Sequence, residues 1–211
     1  MLKNLFLSAK ILSLLVFLFL WQILANYLNI NTLPSVTEIF IRLIEELREG
    51  EILYHLGVTL YRVFVSFVLA MLIGTIIGIV MGNSKKINNI LDSWNILFLN
   101  IPALVIIILS YVWFGLTELA AIIAVSLNKI PNVVVTIREG ARTIDRKILE
   151  IAYVYKISGF KKFFLFYLPQ LYPYIIAAAR GGIALIWKIV LVVELLGRSN
   201  GIGFNKKLCA L

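Results

Sequence analysis

The sequence predicts an all-α protein that spans a membrane, a polytopic bundle of about five helical spans. Three observations support this prediction. Apolar residues make up 61% and charged residues 15% of the 211 residues, whereas a soluble domain has roughly 45–50% and 25%. Apolar runs of about 20 residues, the length that crosses a bilayer, recur along the chain. Within a bilayer each run must be helical, because no water is present to satisfy the backbone.

The apolar runs place the five spans at residues 5–27, 58–81, 96–114, 116–137 and 174–196. Gly74 and Gly78 in the second span form a small-xxx-small step, which predicts that another helix approaches closely there. No repeat, linker or low-complexity tract interrupts the chain. We therefore interpret residues 1–211 as a single transmembrane domain.

Charge placement predicts the orientation of the spans. Basic residues collect at the N-terminus, after the second span (Lys85 and Lys86) and in the long connection after the fourth span, whereas residues 29–57 are rich in Glu. Alternating spans put the three basic places on one side, which the positive-inside rule makes cytoplasmic. The net charge of +9 therefore follows from membrane topology and does not indicate nucleic-acid binding.

The stretch EIAYVYKISGFKKFFLFYLP, residues 150–169, predicts two short amphipathic helices on the cytoplasmic side. Ser158 and Gly159 separate the helices, with Ser158 as an N-cap, and Pro169 is expected to end the second. Each helix carries an apolar stripe at i, i+3, i+4 and i+7: Ile148, Ile151, Ala152 and Tyr155, then Phe160, Phe163, Phe164 and Tyr167. Such a pair either lies on anionic lipid or fills a groove on a cytoplasmic partner.

This stretch resembles the cytoplasmic EAA loop of binding-protein-dependent ABC importer permeases. Glu150 and Ala152 match the start of that signature, and Leu168 and Pro169 match its end. Lys156 stands where a glycine is usual, so we expect Ser158 and Gly159 to form the turn instead. Four further blocks resemble the nitrate/sulfonate/taurine branch in the same order: LPSVTEIF, TLYRVFVSFVLAMLIGTIIGIVMG, IPALV with WFGLTELA, and IWKIVLVVELLG with GIGF.

The resemblance implies a type I importer permease, a multi-pass protein of the bacterial inner membrane that carries a small, anionic or organic solute. Its expected partners are a cytoplasmic ABC ATPase dimer, an extracytoplasmic solute-binding protein, a second permease copy in a homodimer, and the lipid bilayer. Residues 139–170 would form the coupling segment, and a last span usual in the family would be missing here. The residues implied in ATPase coupling are Glu150, Ala152, Lys156, Ser158, Gly159, Phe160, Lys161, Phe163, Phe164, Leu168 and Pro169.

Charges within the apolar runs are costly, at about 2.5–3.5 kcal/mol for one at a helix centre. Lys129 and Lys188 are expected either to snorkel or pair with a neighbouring helix, or to line the path and attract an anion. Glu194 matches a family position and is expected to be structural, opposite one of these lysines, or to lie on the path. Arg62 and Arg180 lie nearer the span ends, where snorkelling is expected.

The sequence lacks the residues that catalysis would need. It contains no G-x-x-x-x-G-K-[ST] phosphate loop. Its single histidine, His55, lies in the external acidic segment, so we expect no Ser-His-Asp arrangement, and one histidine excludes a histidine metal cluster. We therefore expect no enzyme activity, cofactor or metal, with energy supplied by a separate ATPase. The alternatives are a secondary transporter, which predicts internal repeats and broken helices, and a membrane assembly factor anchored by a lipid-bound amphipathic loop.

Overall fold

Within residues 2–28, 33–49 and 51–204, which the computed structural model describes, the chain is helical and contains no strand. This confirms the all-α prediction. The elements are α1 (Leu2–Leu28), α2 (Val36–Glu49), α3 (Glu51–Asn83), α4 (Lys85–Asn100), α5 (Ala103–Phe114), α6 (Glu118–Arg142), α7 (Arg146–Val154), α8 (Gly159–Lys162), a π-helical segment (Phe163–Tyr167) and α9 (Leu168–Gly197).

Four helical stretches in the described part of the chain are long and apolar enough to cross a membrane: Lys10–Leu28, Ile52–Asn83, Glu118–Arg142 and Gly159–Gly197. A fifth is reached if α4 and α5 together form one span. The prediction of about five spans is therefore confirmed: four of the predicted runs overlap these stretches, and the fifth, 96–114, overlaps the broken pair α4 and α5.

The predicted third span, 96–114, is not one continuous helix. Its sequence is divided between α4 and α5, which meet at an angle of 96°. The break lies at Ile101 and Pro102, whose ψ angles of 124° and 137° are extended. A residue before proline is pushed out of the helical region by the proline ring, so the dipeptide Ile-Pro explains the break.

Close contacts divide the chain into two units, the first reaching Gly57 and the second running from Val58 to Phe204. In the first unit, Trp21 Nε1 of α1 donates to the Pro34 carbonyl at 3.2 Å. Helix α2 begins with a capping box, in which the Glu38 N–H donates to Ser35 Oγ and the Ser35 N–H donates to Glu38 Oε2. The prediction that residues 1–211 form a single domain stays a prediction.

Helix α6 is the central helix of the second unit and packs against α4, α5 and α9. Its buried face is built largely from alanine and valine, whose small side chains allow neighbouring helices to approach. Two apolar clusters flank it along its length. One contains Val63, Ile106, Ile107, Ala121, Ala124, Val125, Ile186, Ile189, Val190 and Val193, and the other contains Val133, Ile137, Ala141, Tyr167, Leu171 and Ala178.

Helices α3 and α6 run parallel along a stripe of small residues, as the sequence predicts for Gly74 and Gly78. A Cβ atom at Gly74 would lie 2.7 Å from Val133 Cβ, and one at Gly78 would lie 2.8 Å from Ile137 Cβ. Gly82, one step further along α3, is in similar contact with Ala141. Only glycine leaves room for these contacts, so the step predicted from two glycines extends over three.

The predicted end of the second amphipathic helix at Pro169 is wrong. Helix α8 continues through the π-helical segment into α9, and Pro169 lies in the first turn of α9. In the π-helical turn the Leu168 N–H donates to the Phe163 carbonyl, five residues back. The wider turn changes the backbone just before the proline, whose ring would otherwise clash with the carbonyl four residues earlier. Residues 159–197 therefore form one continuous helical stretch.

Candidate functional site

The turn between α7 and α8 is made by Lys156. Its φ of +52° is the only positive φ at a non-glycine residue in the described chain. The Lys156 N–H donates to the Tyr153 carbonyl at 2.9 Å, and the Ile157 N–H donates to the Ala152 carbonyl at 3.0 Å. These two bonds define a Schellman motif, the helix ending that normally places glycine at this position.

The prediction that Ser158 and Gly159 supply the turn is therefore wrong. Gly159 has no positive φ, and a Cβ atom added there would meet open space. Ser158 does precede α8, as predicted, but its side chain makes no capping hydrogen bond. The left-handed backbone is the physical reason for the glycine that the resemblance implies at this position, and this chain adopts that backbone with a lysine.

Each of the two predicted apolar stripes contains both buried and exposed side chains. In α7, Ala152 is fully buried, whereas Ile148, Ile151 and Tyr155 are exposed. After the turn, Tyr167 is buried, and its hydroxyl accepts a hydrogen bond from Asn83 Nδ2 at 2.8 Å. Phe163 stacks on Tyr167 with 5.4 Å between ring centroids. The buried side chains Ala152 and Tyr167 thus pack the segment against the spans, and the remaining side chains of the stripes lie on its surface.

The exposed side chains form an apolar surface at the turn, which we call the tip: Tyr153, Val154, Tyr155 and Phe160. Each of the four is 75–79% exposed. Phe164 is partly covered by Phe160, with ring centroids 4.6 Å apart. The other predicted coupling residues lie nearby along the segment: Glu150, Lys161 and Pro169 are exposed, and Leu168 is half-buried.

At the other end of the second unit, Arg62 and Glu194 form a fully buried ion pair. Arg62 NH1 lies 2.7 Å from Glu194 Oε1, and their side chains are 1% and 0% exposed. Arg62 also binds Glu118 through two bonds, Nε to Oε2 at 2.8 Å and NH2 to Oε1 at 2.5 Å. The expectation that Arg62 snorkels is wrong, and so is the expectation that a lysine faces Glu194.

The segment after α9 folds back and completes this ion-pair network. Both oxygens of Glu194 are occupied, because Thr59 Oγ1 donates to them at 2.9 and 3.0 Å and the Gly203 N–H donates to Oε2 at 2.9 Å. The Asn200 carbonyl accepts from Arg62 NH1 at 2.9 Å. Gly201, at φ +108°, lies so close to the Glu194 carboxylate that a Cβ atom would clash with it. The network joins α3, α6 and α9.

Lys129 lies between helices and is not paired. It is 6% exposed, and within the part of the chain that the structure describes it has no hydrogen-bond or ion-pair partner. A Cβ atom at Gly182 of α9 would lie 3.5 Å from Lys129 Nζ and 3.5 Å from the ring of Phe67 in α3. The hydroxyl of Ser66, the residue before Phe67, is also buried without a partner among the described residues. The expected pairing of Lys129 with a neighbouring helix is therefore not found within the described residues, and snorkelling stays a prediction.

Lys188 and Arg180 of α9 are both exposed. They lie eight residues apart, with the small exposed residues Gly181 and Ala184 between them. The structure does not bring Lys129, Lys188 and Glu194 together: Glu194 belongs to the ion-pair network, Lys129 faces Gly182, and Lys188 faces outward. A place on the translocation path stays a prediction for each.

Several helices long and apolar enough to cross a membrane, joined by a connection with an exposed turn, are typical of a multi-pass membrane protein. Residues 70–205 match the family model described as "Binding-protein-dependent transport system inner membrane component". The match covers well over half of the chain, and the chain belongs to this family. It is therefore a multi-pass inner-membrane protein, the permease subunit of a binding-protein-dependent importer.

Similar proteins agree with this assignment. A putative aliphatic sulfonates transport permease of Bacillus subtilis is 28% identical over 204 residues, 96% of this chain and 72% of that protein. A nitrate import permease of Synechocystis is 30% identical over 146 residues, 69% of this chain and 53% of that protein. The crystal structure of an amino acid ABC transporter with histidines has a TM-score of 0.61 at 20% identity, covering 79% of this chain and 81% of that one. That structure confirms the permease fold.

Proposed function

We propose that the coupling segment, residues 139–170, docks the tip onto a cytoplasmic ABC ATPase, and that this chain has no ATP-hydrolysing site of its own. The observation that carries the proposal is the tip, where four large side chains are at least 75% exposed beside a turn of defined geometry. Members of this family work with an ATPase and a solute-binding protein, and in this chain the tip has the chemistry of a docking surface.

The tip suits a protein groove for two physical reasons. Aromatic side chains bury a large apolar area with few rotatable bonds, which is why they dominate binding energetics. The Schellman motif and the buried Ala152 and Tyr167 hold the segment in one conformation before docking, so little conformational entropy is lost on binding. Lys161, exposed beside Phe160, supplies a positive charge at the rim of the surface.

The path is proposed to carry a small anion between two copies of this chain. Relatives are named for aliphatic sulfonates and nitrate, and both solutes are anions. Lys129 is a buried cation without a partner, and a unit charge 4 Å from an anion gains about 4 kcal/mol at an effective dielectric of 20. Lys188 presents a second cation on the exposed face of α9. The solute-binding protein is proposed to dock at the external face, on the side of the membrane opposite to the coupling segment.

Copurification tests the docking proposal. We expect the cognate ATPase to copurify with the wild-type chain and to be lost from a Tyr155→Ser/Phe160→Ser variant. The control is Tyr61→Ser, which removes an exposed aromatic residue (59%) at the other end of the second unit. Normal recovery of ATPase with the tip variant would contradict the proposal. If that variant instead lost only its binding to anionic vesicles, the tip would be a lipid anchor.

Uptake tests the path. A Lys129→Met variant that copurifies with its ATPase normally is expected to import nitrate or an alkanesulfonate at least about ten-fold more slowly than wild type, because 1.4 kcal/mol of lost attraction already has that effect. Uptake at the wild-type rate would remove Lys129 from the path and leave the docking proposal untouched.

A further inference from the structure

A basic cavity lies at the end of the second unit that holds the coupling segment, apart from both the tip and Lys129. Its volume is about 460 Å³, which is within the range of ligand pockets and holds an oxyanion with its water. The end of α3, the start of α4, the end of α6 and the start of α7 enclose it. Its polar lining consists of Asn83, Lys85, Asn88, Asn89, Arg142, Arg146 and Tyr167.

The charge of this lining is entirely positive. Lys85, Arg142 and Arg146 come from three different helices, and none of the described lining residues is acidic. Two of the nearby carboxylates bind elsewhere, because Asp92 binds Arg138 and Asp145 accepts from the Lys147 N–H at 2.8 Å. A third, Glu139, binds both Arg138 and the lining residue Arg142. Glu139 therefore offsets the charge of Arg142, whereas Lys85 and Arg146 form no ion pair within the described residues and keep the cavity positive.

The lining cations keep donors available for a ligand. Arg142 NH2 donates to Asn88 Oδ1 at 2.8 Å and NH1 to Glu139 Oε1 at 3.0 Å, which leaves other guanidinium N–H groups free. Lys85 and Arg146 are exposed and form no ion pair within the described residues. Lys85 also begins α4, whose positive helix end adds to the attraction for an anion. Side-chain amides of the neighbouring asparagines complete a donor-rich surface.

We propose that this cavity is a binding site for a tetrahedral oxyanion, a phosphate or sulfonate group. The group is carried either by an anionic phospholipid headgroup or by a free solute on the cytoplasmic side. Charge-assisted hydrogen bonds from Arg and Lys to such oxygens are short and strong. A bound oxyanion connects α7, through Arg146, to α4 and α6, through Lys85 and Arg142. Occupancy therefore stabilises the position of α7, the first helix of the coupling segment.

The chain provides a matched control for this proposal. Lys85→Gln/Arg146→Gln removes two charges that line the cavity, and Lys86→Gln/Lys147→Gln removes the two neighbouring charges that do not line it. All four side chains are exposed, so each substitution is expected to leave the fold stable. The single variants Lys85→Gln and Arg146→Gln serve if the double variant unfolds. Both double variants lower the net charge equally, so any difference between them reports on the cavity.

The measurement is backbone amide exchange of α7 in the full-length purified chain. In uncharged detergent at constant ionic strength, sulfate and phosphate are titrated against chloride. In a second arm, nanodiscs of phosphatidylcholine alone are compared with nanodiscs containing phosphatidylglycerol. We expect saturable slowing of exchange in wild type and in the Lys86/Lys147 variant. The midpoint should move at least about ten-fold higher in the Lys85/Arg146 variant.

The two arms identify the source of the oxyanion. Protection by sulfate or phosphate in detergent supports a free solute, whereas protection only in phosphatidylglycerol nanodiscs supports a lipid headgroup. Equal weakening in both double variants would show unspecific attraction to a basic surface and would overturn the proposal. Absence of saturable protection in both arms would overturn it as well.

Discussion

Removing the charge of Glu194 tests whether the buried ion-pair network stabilises the fold. The change is Glu194→Gln, and its matched control is Glu118→Gln, the same chemical change in the other carboxylate that binds Arg62. The two differ in burial, because the Glu194 side chain is 0% exposed and that of Glu118 is 42% exposed. The comparison therefore separates burial of the charge from loss of a contact to Arg62.

The magnitude follows from the contacts. Both oxygens of Glu194 accept hydrogen bonds, from Arg62, Thr59 and Gly203, and a glutamine would turn one oxygen into a donor that faces another donor. Removing one partner of a buried pair costs about 3–5 kcal/mol. Arg62 keeps two bonds to Glu118, so we expect the lower end of that range, about 3 kcal/mol. For Glu118→Gln we expect about 1 kcal/mol, because water replaces part of the lost interaction.

Thermal unfolding of the purified chain in mild detergent measures both variants. At roughly 2–4 °C per kcal/mol for a chain of this size, Glu194→Gln should lower Tm by roughly 6–12 °C, and Glu118→Gln by roughly 2–4 °C. Equal shifts, or a larger shift for Glu118→Gln, would refute the reasoning, because burial would then not decide the cost.

Three further predictions follow from other contacts. Lys156→Gly should raise the free energy of unfolding by up to about 1 kcal/mol, because glycine relieves the left-handed strain but loses more entropy on folding; a lower Tm would contradict the Schellman assignment. Gly78→Ala should destabilise by about 1–3 kcal/mol through overpacking against α6, whereas Gly181→Ala, in open space, should be neutral or stabilising in the same melt. The Ser35 N–H and hydroxyl hold the pKa of Glu38 below its ordinary value of 4.5. The capping box should therefore stabilise α2 above pH 4.5, and this stabilisation should be lost as the pH falls through the lowered pKa. Amide exchange at the start of α2 that does not depend on pH, after correction for the intrinsic rate, would contradict this prediction.

The spans could be predicted from sequence because each depends on local composition. An apolar run of sufficient length has no alternative to a helix in a bilayer, and the glycine stripe of α3 is visible at a spacing of four residues. The break at Pro102 was also present in the sequence as the dipeptide Ile-Pro, but the hydropathy of the surrounding residues concealed it. Hydropathy predicts that a segment enters the membrane and does not predict whether it bends there.

The buried network could not be predicted, because its partners are far apart in sequence. Arg62 lies 56 residues from Glu118 and 132 from Glu194, and no local pattern connects them. A charge near a span end is most simply assumed to reach water, and only the fold shows that α6 and α9 cover Arg62. The turn at Lys156 is different, because the departure from glycine is visible in the sequence, whereas the positive φ of the lysine is visible only in the structure. The left-handed conformation at position 156 is kept although a lysine replaces the usual glycine.

The continuous stretch from Gly159 to Gly197 gives the proposed docking a mechanical consequence. It is 39 residues long, about 58 Å at the α-helical rise, and it begins at the tip and ends beside the Arg62–Glu194 pair. Helix α9 packs along α6, and α6 is in turn fixed to α3 by the glycine stripe. No loop interrupts the helix between the tip and the ion-pair network, so a displacement of the tip can be transmitted along the helix to that network. The π-helical segment and Pro173 inside α9 are points along this stretch where a helix bends more easily.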